Sequence, residues 1–462
     1  MKKCKIGFLP LYIKLYDDCG LTIRERLEPF YERLATEFER DGFSVVRTSF
    51  CRVREEFAAA VARFEKEGVD CIVTWHAAYS PSLESVDVLA ATKLPIVVLD
   101  TTETFDFGPA QSPDEVNINH GIHGVMDMTN MLRRRGKVYA IAAGPWPQSD
   151  VVKRAGRLAQ AAAGAESLAG SRVGTIGGSF DGMGDFLISD KALLDRFGVT
   201  AVYAKGETLS AFADAVTEEE IDQEIRRDLE TCQVLEPFSR ATHERTVRNC
   251  LAVRKWIEQE RLDAFTINFR EIRPENGLTV MPFMEACKSM ARGIGYAGEG
   301  DVLTAAVTGA LIRGFEDATF VEIFCPDWKE NSLFLSHMGE FNLALCDGRP
   351  EIREIPFVFG DAEDPVVCYG CYRSGDAIFA NVFQDENGYA MLISPVKMLE
   401  HPGDRFGGVV RGWMQPCMPI PAFLEAISCA GVTHHSSLVY GASLAELEFF
   451  GRLLGLRIIK VQ

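Results

Sequence analysis

The sequence predicts an α/β chain in three parts: two Rossmann-like parallel-sheet α/β domains, then a β-rich C-terminal domain built on an antiparallel sheet or barrel. Three observations carry this. At 462 residues the chain exceeds what one hydrophobic core usually supports. Short apolar runs alternate with amphipathic segments through the first two thirds, the pattern of a parallel sheet with covered faces. Beyond about residue 315 short β-prone runs follow one another, divided by Asp, Gly and Pro. The expected domains are 1–170, 171–314 and 315–462.

In the first part, 5–9 is a short apolar run, and 21–40 carries Leu27, Phe30, Leu34 and Phe38 at helical spacing with Gly42 marking its end. Strands are expected at 43–48, 71–75, 95–99 and 138–143, with helices at 55–66, 85–91 and before Arg133-Arg134-Arg135. Sites in such sheets lie beyond the carboxyl ends of the strands. That singles out Leu11-Tyr12, His76 to Ser80, Asp100 to Thr102 and Gly144-Pro145-Trp146.

An Ala-rich helix over 158–169 leads to a boundary at Gly170-Ser171. The second part opens on a strand from Arg172, with helices expected at 190–197, 218–229 and 243–260 and a strand at 264–268. In the third part, strands are expected at 320–324, 342–346, 354–359, 366–372, 377–383 and 389–393. Helices at 420–428 and 443–454 and a closing strand at 456–461 complete it.

The formal charge of −18 argues against nucleic-acid or anionic-membrane partners, whose phosphates such a surface repels. Simple solubility is the plainer reading of that charge. Lys5, Pro10 and Lys14 interrupt the apolar start, so 1–18 does not read as a signal peptide. No apolar run reaches the length of a membrane span. Thirteen scattered cysteines read as reduced thiols of a cytoplasmic protein. Cys368-Tyr-Gly-Cys371 is the only C-x-x-C, without the second pair a zinc site needs.

Candidate chemistry concentrates in Gly295-Tyr-Ala-Gly-Glu299-Gly-Asp301, Phe320-Val-Glu322 and Leu335-Ser-His337-Met338. These carboxylates and this imidazole sit among apolar and glycine residues, where an unpaired charge is costly and a metal ion is a ready partner. Strand alternation places Glu322 on the face of Phe320 and Phe324. The structural alternative is that Glu299 caps or pairs and Glu322 faces solvent on an edge strand. His434-His435 lies far along the chain; adjacent residues diverge, so one of the two is expected to point into a site. His120 and His123 stand among Asn and Gly, in a turn or helix start. His76, His243 and His401 read as surface or satisfied core residues. Arg172-Val-Gly174-Thr-Ile-Gly177-Gly178 lacks the G-x-G-x-x-G spacing of a dinucleotide loop.

The segment 295–306, Ser336-His337-Met338 and His434-His435 resemble the L-arabinose isomerases and, more loosely, the L-fucose/L-arabinose isomerase superfamily. Leu11-Tyr12, Trp75 with Ser80-Pro81, the Asn117 to Gly124 segment and Ala264 to Phe269 follow the family's order. The resemblance implies an aldose–ketose isomerase working through an enediol on an unphosphorylated pentose, hexose or deoxy-sugar. Its metal ligands fall on Glu299, Glu322, His337 and His435, and the two glutamates are also its acid/base pair. Substrate-contacting positions fall on Leu11, Tyr12, His123, Met183 and Phe269, with His120 standing where a sugar-contacting glutamine is usual. Leu9 replaces a second such glutamine, and Ile323 to Trp328 replaces a Tyr-rich segment. The resemblance further implies a homo-oligomer, trimers paired into hexamers, with His123 reaching a neighbouring subunit's site. Two carboxylates and two imidazoles suit Mn²⁺ and tolerate Co²⁺ or Fe²⁺. The rival class is a non-catalytic sugar-binding or regulatory protein on the same scaffold, for which an intact metal quartet has no use.

Overall fold

Five apolar runs in the first 143 residues form one parallel sheet: β1 (Lys5–Leu11), β2 (Ser44–Arg47), β3 (Cys71–His76), β4 (Ile96–Asp100) and β5 (Tyr139–Ala143). The order is β2-β1-β3-β4-β5. All six residues of β3 are buried, as a central parallel strand covered on both faces requires. The helix Ile23–Arg40 buries Leu27, Phe30, Leu34 and Phe38, the stripe read from spacing. The helix Val151–Glu166 begins seven residues before the expected start, because Val151, Val152 and Ala155 extend its buried face. This computed structural model describes residues 4–462, and the chain separates into two compact units, one running to Glu166 and the other Ser167–Gln462.

The second unit holds both later layers. β6 (Arg172–Ile176), β7 (Thr200–Tyr203), β8 (Ala264–Ile267) and β9 (Gly295–Gly298) make a parallel sheet of order β7-β6-β8-β9. Then come β10 (Ala318–Asp327), β11 (Ser332–Ser336), β12 (Cys346–Glu354), β13 (Val366–Tyr372), β14 (Gly375–Asp385), β15 (Gly388–Met398), β16 (Gly412–Pro416), β17 (His435–Tyr440) and β18 (Arg457–Lys460). β14-β17-β10-β11-β16-β15 run in sequence, and β14 pairs back onto β15. Six strands thereby close an antiparallel barrel and remove its open edges. β18 adds in parallel to β15, while β12 and β13 form a separate ribbon.

The helix Val302–Phe315 lies between sheet and barrel and is buried on nearly every side, which explains its all-round apolar composition. Its approach is close because glycine faces glycine: a Cβ on Gly295 of β9 would overlap the backbone at Ala305 and Gly309. Thr308 Oγ1 meets Ser437 Oγ of β17 at 3.0 Å. One helix therefore holds the end of β9 against the barrel.

Two expected strands differ. The 342–346 stretch is instead a 3₁₀ turn, Leu343–Leu345, and the strand starts at Cys346. Asn342 is the cause: its side chain accepts from Ala344 N at 3.0 Å and donates to Ala318 O at 2.9 Å, a local bond that competes with the ladder. The 354–359 stretch leaves β12 after Glu354, carrying Phe357 and Phe359 into a loop. Among the described residues no helix is long and apolar enough to cross a membrane.

Candidate metal centre

Glu299 follows β9 at its carboxyl end and holds φ at 62°, a backbone region few non-glycine residues enter. The neighbouring bonds impose it. Glu299 N donates to Ile267 O and Phe180 N donates to Glu299 O, each at 2.9 Å. Gly300, at φ 89°, packs on the Gly178 carbonyl, where a Cβ would overlap the oxygen. Such strain at a carboxylate is kept only where the surroundings over-determine it.

Barrel register supplies the next groups. Glu322 of β10 stands opposite His435 of β17 on one side and opposite Ser336 of β11, the residue before His337, on the other. Directly opposed residues share a face. Glu322 Oε1 consequently lies 2.9 Å from His337 Nε2 and 3.1 Å from His435 Nε2. Glu299 Oε2 is 3.4 Å from both His435 Nε2 and His434 Nε2. Ligand atoms of Glu299, Glu322, His434 and His435 all fall within 4.8 Å of one another, and His337 reaches this group through Glu322.

The expectation that only one of the adjacent histidines points inward does not hold. Their rings are 4.2 Å apart and both Nε2 atoms face Glu299. Strand alternation does not separate them, because β17 begins at His435 and His434 lies before it.

Each imidazole is held from behind by a carboxylate that sequence reading passed over. His435 Nδ1 meets Asp301 Oδ2 at 3.0 Å, with both side chains fully buried. His337 Nδ1 bonds Glu340 Oε2, and Glu340 Oε1 accepts from Tyr296 Oη at 2.6 Å. Asp185 Oδ2 accepts from the backbone N of His434 at 2.9 Å and sits 2.8 Å from its Nδ1. Phe186 stacks on His435 at 4.9 Å and 16°. The available signals were the two-residue step from Glu299 to Asp301 and the three-residue step from His337 to Glu340.

These contacts fit a divalent cation. With Nδ1–H given to a carboxylate, each ring in its neutral form turns an Nε2 lone pair towards the glutamates, as a metal-binding histidine oriented from behind does. Glu322 Oε1 and His435 Nε2 are buried and, although 3.1 Å apart, lack the alignment of a hydrogen bond. The cage selects positive charge strongly. Burial opposes protonation of His337 and His435, yet Glu340 and Glu322 around the first, and Asp301, Glu299 and Glu322 around the second, raise both well above the ordinary imidazole value. Burial likewise pushes the Glu299 carboxyl up, but bonding to His434 and His435 outweighs it and holds the value at about 2. Glu322 is depressed further, against burial, by His337 and His435.

A cavity of about 420 Å³ opens on this group, with Met183 and Phe269 in its wall beside Glu299, Glu322, His337 and His434. Met183 comes from the loop after β6, and Phe269 from the 3₁₀ turn Phe269–Glu271 after β8. Leu11, Tyr12, His120 and His123 belong to the first unit. Leu11 and Tyr12 are fully buried there, with Tyr12 Oη unpartnered. His120 precedes the helix Gly121–Arg134 and lies 2.8 Å from Tyr16 Oη; His123 is exposed, 4.8 Å from the Tyr79 ring. His243 is satisfied by Asp228 at 3.1 Å. His76 departs from the satisfied-core reading: it is buried with neither ring nitrogen paired, and burial lowers it to about 3.

Comparison with known proteins gives matches to two domain families. Residues 191–313 match the L-arabinose isomerase central domain, and residues 317–457 match the L-arabinose isomerase C-terminal domain. An L-arabinose isomerase of Shouchella clausii (strain KSM-K16) is 24% identical, the alignment covering 98% of this chain and 93% of that protein. One from Nocardioides sp. (strain ATCC BAA-499 / JS614) is also 24% identical, over 84% of this chain and 80% of that protein. L-arabinose isomerase 2 of Bacillus licheniformis is 25% identical over 72% of each.

Proposed function

The chain belongs to the L-arabinose isomerase family as an arabinose isomerase-like member, and from that premise we propose that it is a divalent-metal-dependent aldose–ketose isomerase of an unphosphorylated sugar. The observation that carries the reading is the convergence of Glu299, Glu322 and their histidines within ion-pair distance at the end of a sugar-sized cavity. Glu299, Glu322, His337 and His435 would hold the ion, with His434 beside them. Mn²⁺ fits this mixed oxygen and nitrogen set, and Co²⁺ or Fe²⁺ is tolerated. Bound there, the ion supplies Lewis-acid polarisation of the substrate carbonyl.

The chain's own groups do the rest. One glutamate removes the C2 proton of the aldose; the C–H electrons form the C1–C2 double bond, and O1 takes a proton to give an enediol. Loss of the O2 proton and return of one to C1 then gives the ketose. Glu299 and Glu322 divide these transfers. Leu11, Tyr12, His120, His123, Met183 and Phe269 are the proposed substrate contacts. The same reading carries a cytoplasmic homo-oligomer, trimeric or hexameric, which light scattering tests.

The experiment is an aldose panel assayed with Mn²⁺ on Glu299→Gln and Glu322→Gln. Each variant is expected to lose at least about 10²-fold in kcat, the scale of one acid–base group. Full activity in either overturns the assignment. Purified protein that neither binds nor responds to a divalent ion would favour the sugar-binding rival.

A further inference from the structure

The C-x-x-C of the sequence, Cys368-Tyr-Gly-Cys371, is left unused by the isomerase reading. It cannot close on itself, because both cysteines lie on β13 and residues three apart in a strand point to opposite faces. Cys368 turns inward instead. Its thiol is in hydrogen-bonding contact with those of Cys232 and Cys287, and all three are buried free thiols.

The backbone sets this grouping. Gln233 N donates to Pro350 O at 2.8 Å and Ile352 N donates to Gln233 O at 3.0 Å, laying the chain that leaves the helix Glu218–Thr231 along β12. Ile352 of β12 is in turn opposite Cys368 of β13. From the other side, Cys287 of the helix Phe283–Ala291 donates to Gly339 O at 3.1 Å. Gly339 is seated on β13, where a Cβ would stand 2.2 Å from Val367 Cγ1.

The three thiols are not alike. Cys287 is committed to Gly339 O inside its helix. Cys232 follows the end of its helix, whose last carbonyls accept from Arg349 Nη2, Leu229 O at 2.7 Å and Glu230 O at 3.0 Å. Exposed Val234 and Leu235 come directly after it. The bond from Cys368 lowers the Cys232 thiol below its usual value in spite of burial, and Lys288 and Arg349 add positive charge. The same bond, with that to Cys287 and with burial, raises Cys368 well above it. A thiolate is the nucleophile in thiol oxidation, so Cys232 attacks and Cys368 resolves. Flanking Cys346 and Cys371 are pushed up by burial to about 12 and about 11 and stay protonated.

We infer that Cys232 and Cys368 are a reversible oxidation site for hydrogen peroxide, closed as a disulfide and coupled through Gly339 to the loop that carries His337. The Cys232 sulfur attacks one peroxide oxygen; the S–O bond forms, the O–O bond breaks, and hydroxide leaves to take up the proton the thiol gave away. The Cys368 sulfur then attacks the sulfenic sulfur. The S–S bond forms, the S–O bond breaks, and the hydroxyl leaves as water with the Cys368 proton. Two thiols are oxidised and one peroxide is reduced to two waters. Local opening of the Gln233 end admits the oxidant. Drawing Cys368 towards Cys232 moves Val367 under Gly339, which lies between His337 and its brace Glu340.

The test is peptide mapping of the reduced full chain after hydrogen peroxide at pH 7, with free thiols blocked in denaturant before digestion without reductant. A linked Cys232–Cys368 peptide that dithiothreitol removes is expected, and Cys368→Ser should instead leave Cys232 as a sulfenic acid that dimedone traps. Recovery of Cys232 and Cys368 as free thiols, or a Cys287–Cys368 link in their place, overturns the site. Oxidised protein is expected to bind Mn²⁺ about tenfold more weakly than reduced protein, the low end of what groups behind a metal ligand contribute. This arm rests on the metal reading above. Equal affinity overturns the coupling. Reduced protein that binds no Mn²⁺ overturns the metal reading, and the linked peptide still decides the oxidation site.

Discussion

His434 and His435 bring their Nε2 atoms to the same distance, 3.4 Å, from the same oxygen of Glu299. They are not equivalent behind it. His435 is fully buried, braced by buried Asp301 and also in contact with Glu322, whereas His434 is 41% exposed and braced by half-exposed Asp185. A ligand must be fixed before the ion arrives, and only His435 contacts both glutamates. His435→Ala is therefore expected to weaken Mn²⁺ binding by more than about 10²-fold, and His434→Ala by about tenfold, the low end of what supporting groups contribute. Free Mn²⁺ measured by electron paramagnetic resonance during a titration reads both. An equal loss in the two variants would make His434 a ligand in its own right.

Asp301 serves two structures at once. Its Oδ1 caps the helix Val302–Phe315 by accepting from Thr304 N at 2.9 Å, while Oδ2 holds His435. Asp301→Asn keeps a good N-cap and loses the charge behind the imidazole. Metal affinity should fall about 10- to 100-fold with little change in melting temperature. Asp301→Ala should add about 1 kcal/mol of destabilisation from the lost cap. Calorimetric metal titration and thermal melts of both variants separate the two roles.

What was readable in the sequence follows from what periodicity encodes. Strands such as 71–76 and helices such as 23–40 declare themselves because their burial repeats at fixed spacing. The placement of Glu322 beside Phe320 was legible for the same reason, since alternation decides a face. Barrel closure was not: it depends on β14 pairing with both β15 and β17, far apart in the chain. Nor was the bracing set, because Asp185, Asp301 and Glu340 look like ordinary loop and cap acids until the fold sets them behind imidazoles. Phe357 and Phe359 misled for a specific reason. Their β-prone run suits a strand, yet β12 ends at Glu354 and the two rings turn to the cavity instead.

Gly300 is expected to be intolerant of any side chain. Its φ of 89° disfavours L-residues, and a Cβ would overlap the backbone of Gly178 and Ser179, which has no flexible end to yield. Gly300→Ala should displace the Glu299 loop, costing about 1–3 kcal/mol by overpacking and weakening metal binding at the same time. Urea unfolding and Mn²⁺ titration of the variant check both effects. Wild-type values in both would show that the loop repositions freely.

Away from the cavity, Glu224 links Arg254 and Lys288, each at 2.7 Å, under the helices of the second unit. Lys288 also pairs with Asp228, and Arg254 pairs with Glu285 at 2.7 Å. Burial pushes the Glu224 carboxyl up, but Arg254 and Lys288 overcome it and hold it far below the usual range. A depressed carboxylate contributes stability in full above its unfolded value, about 4.3, and loses it as pH falls towards the folded one. Burial pulls Lys288 down, yet Asp228 and Glu224 raise it, so its share is present below about 10.4 and fades as pH rises beyond. Glu224→Gln leaves buried cations short of a partner, so a loss of about 3–5 kcal/mol is expected at pH 7. That deficit should narrow below about pH 4.3, where the carboxyl of the unfolded chain takes up a proton while the folded one stays ionised. Urea midpoints of both proteins between pH 7 and 3.5 read the difference directly. A deficit constant across that range would trace the loss to packing rather than to the charge.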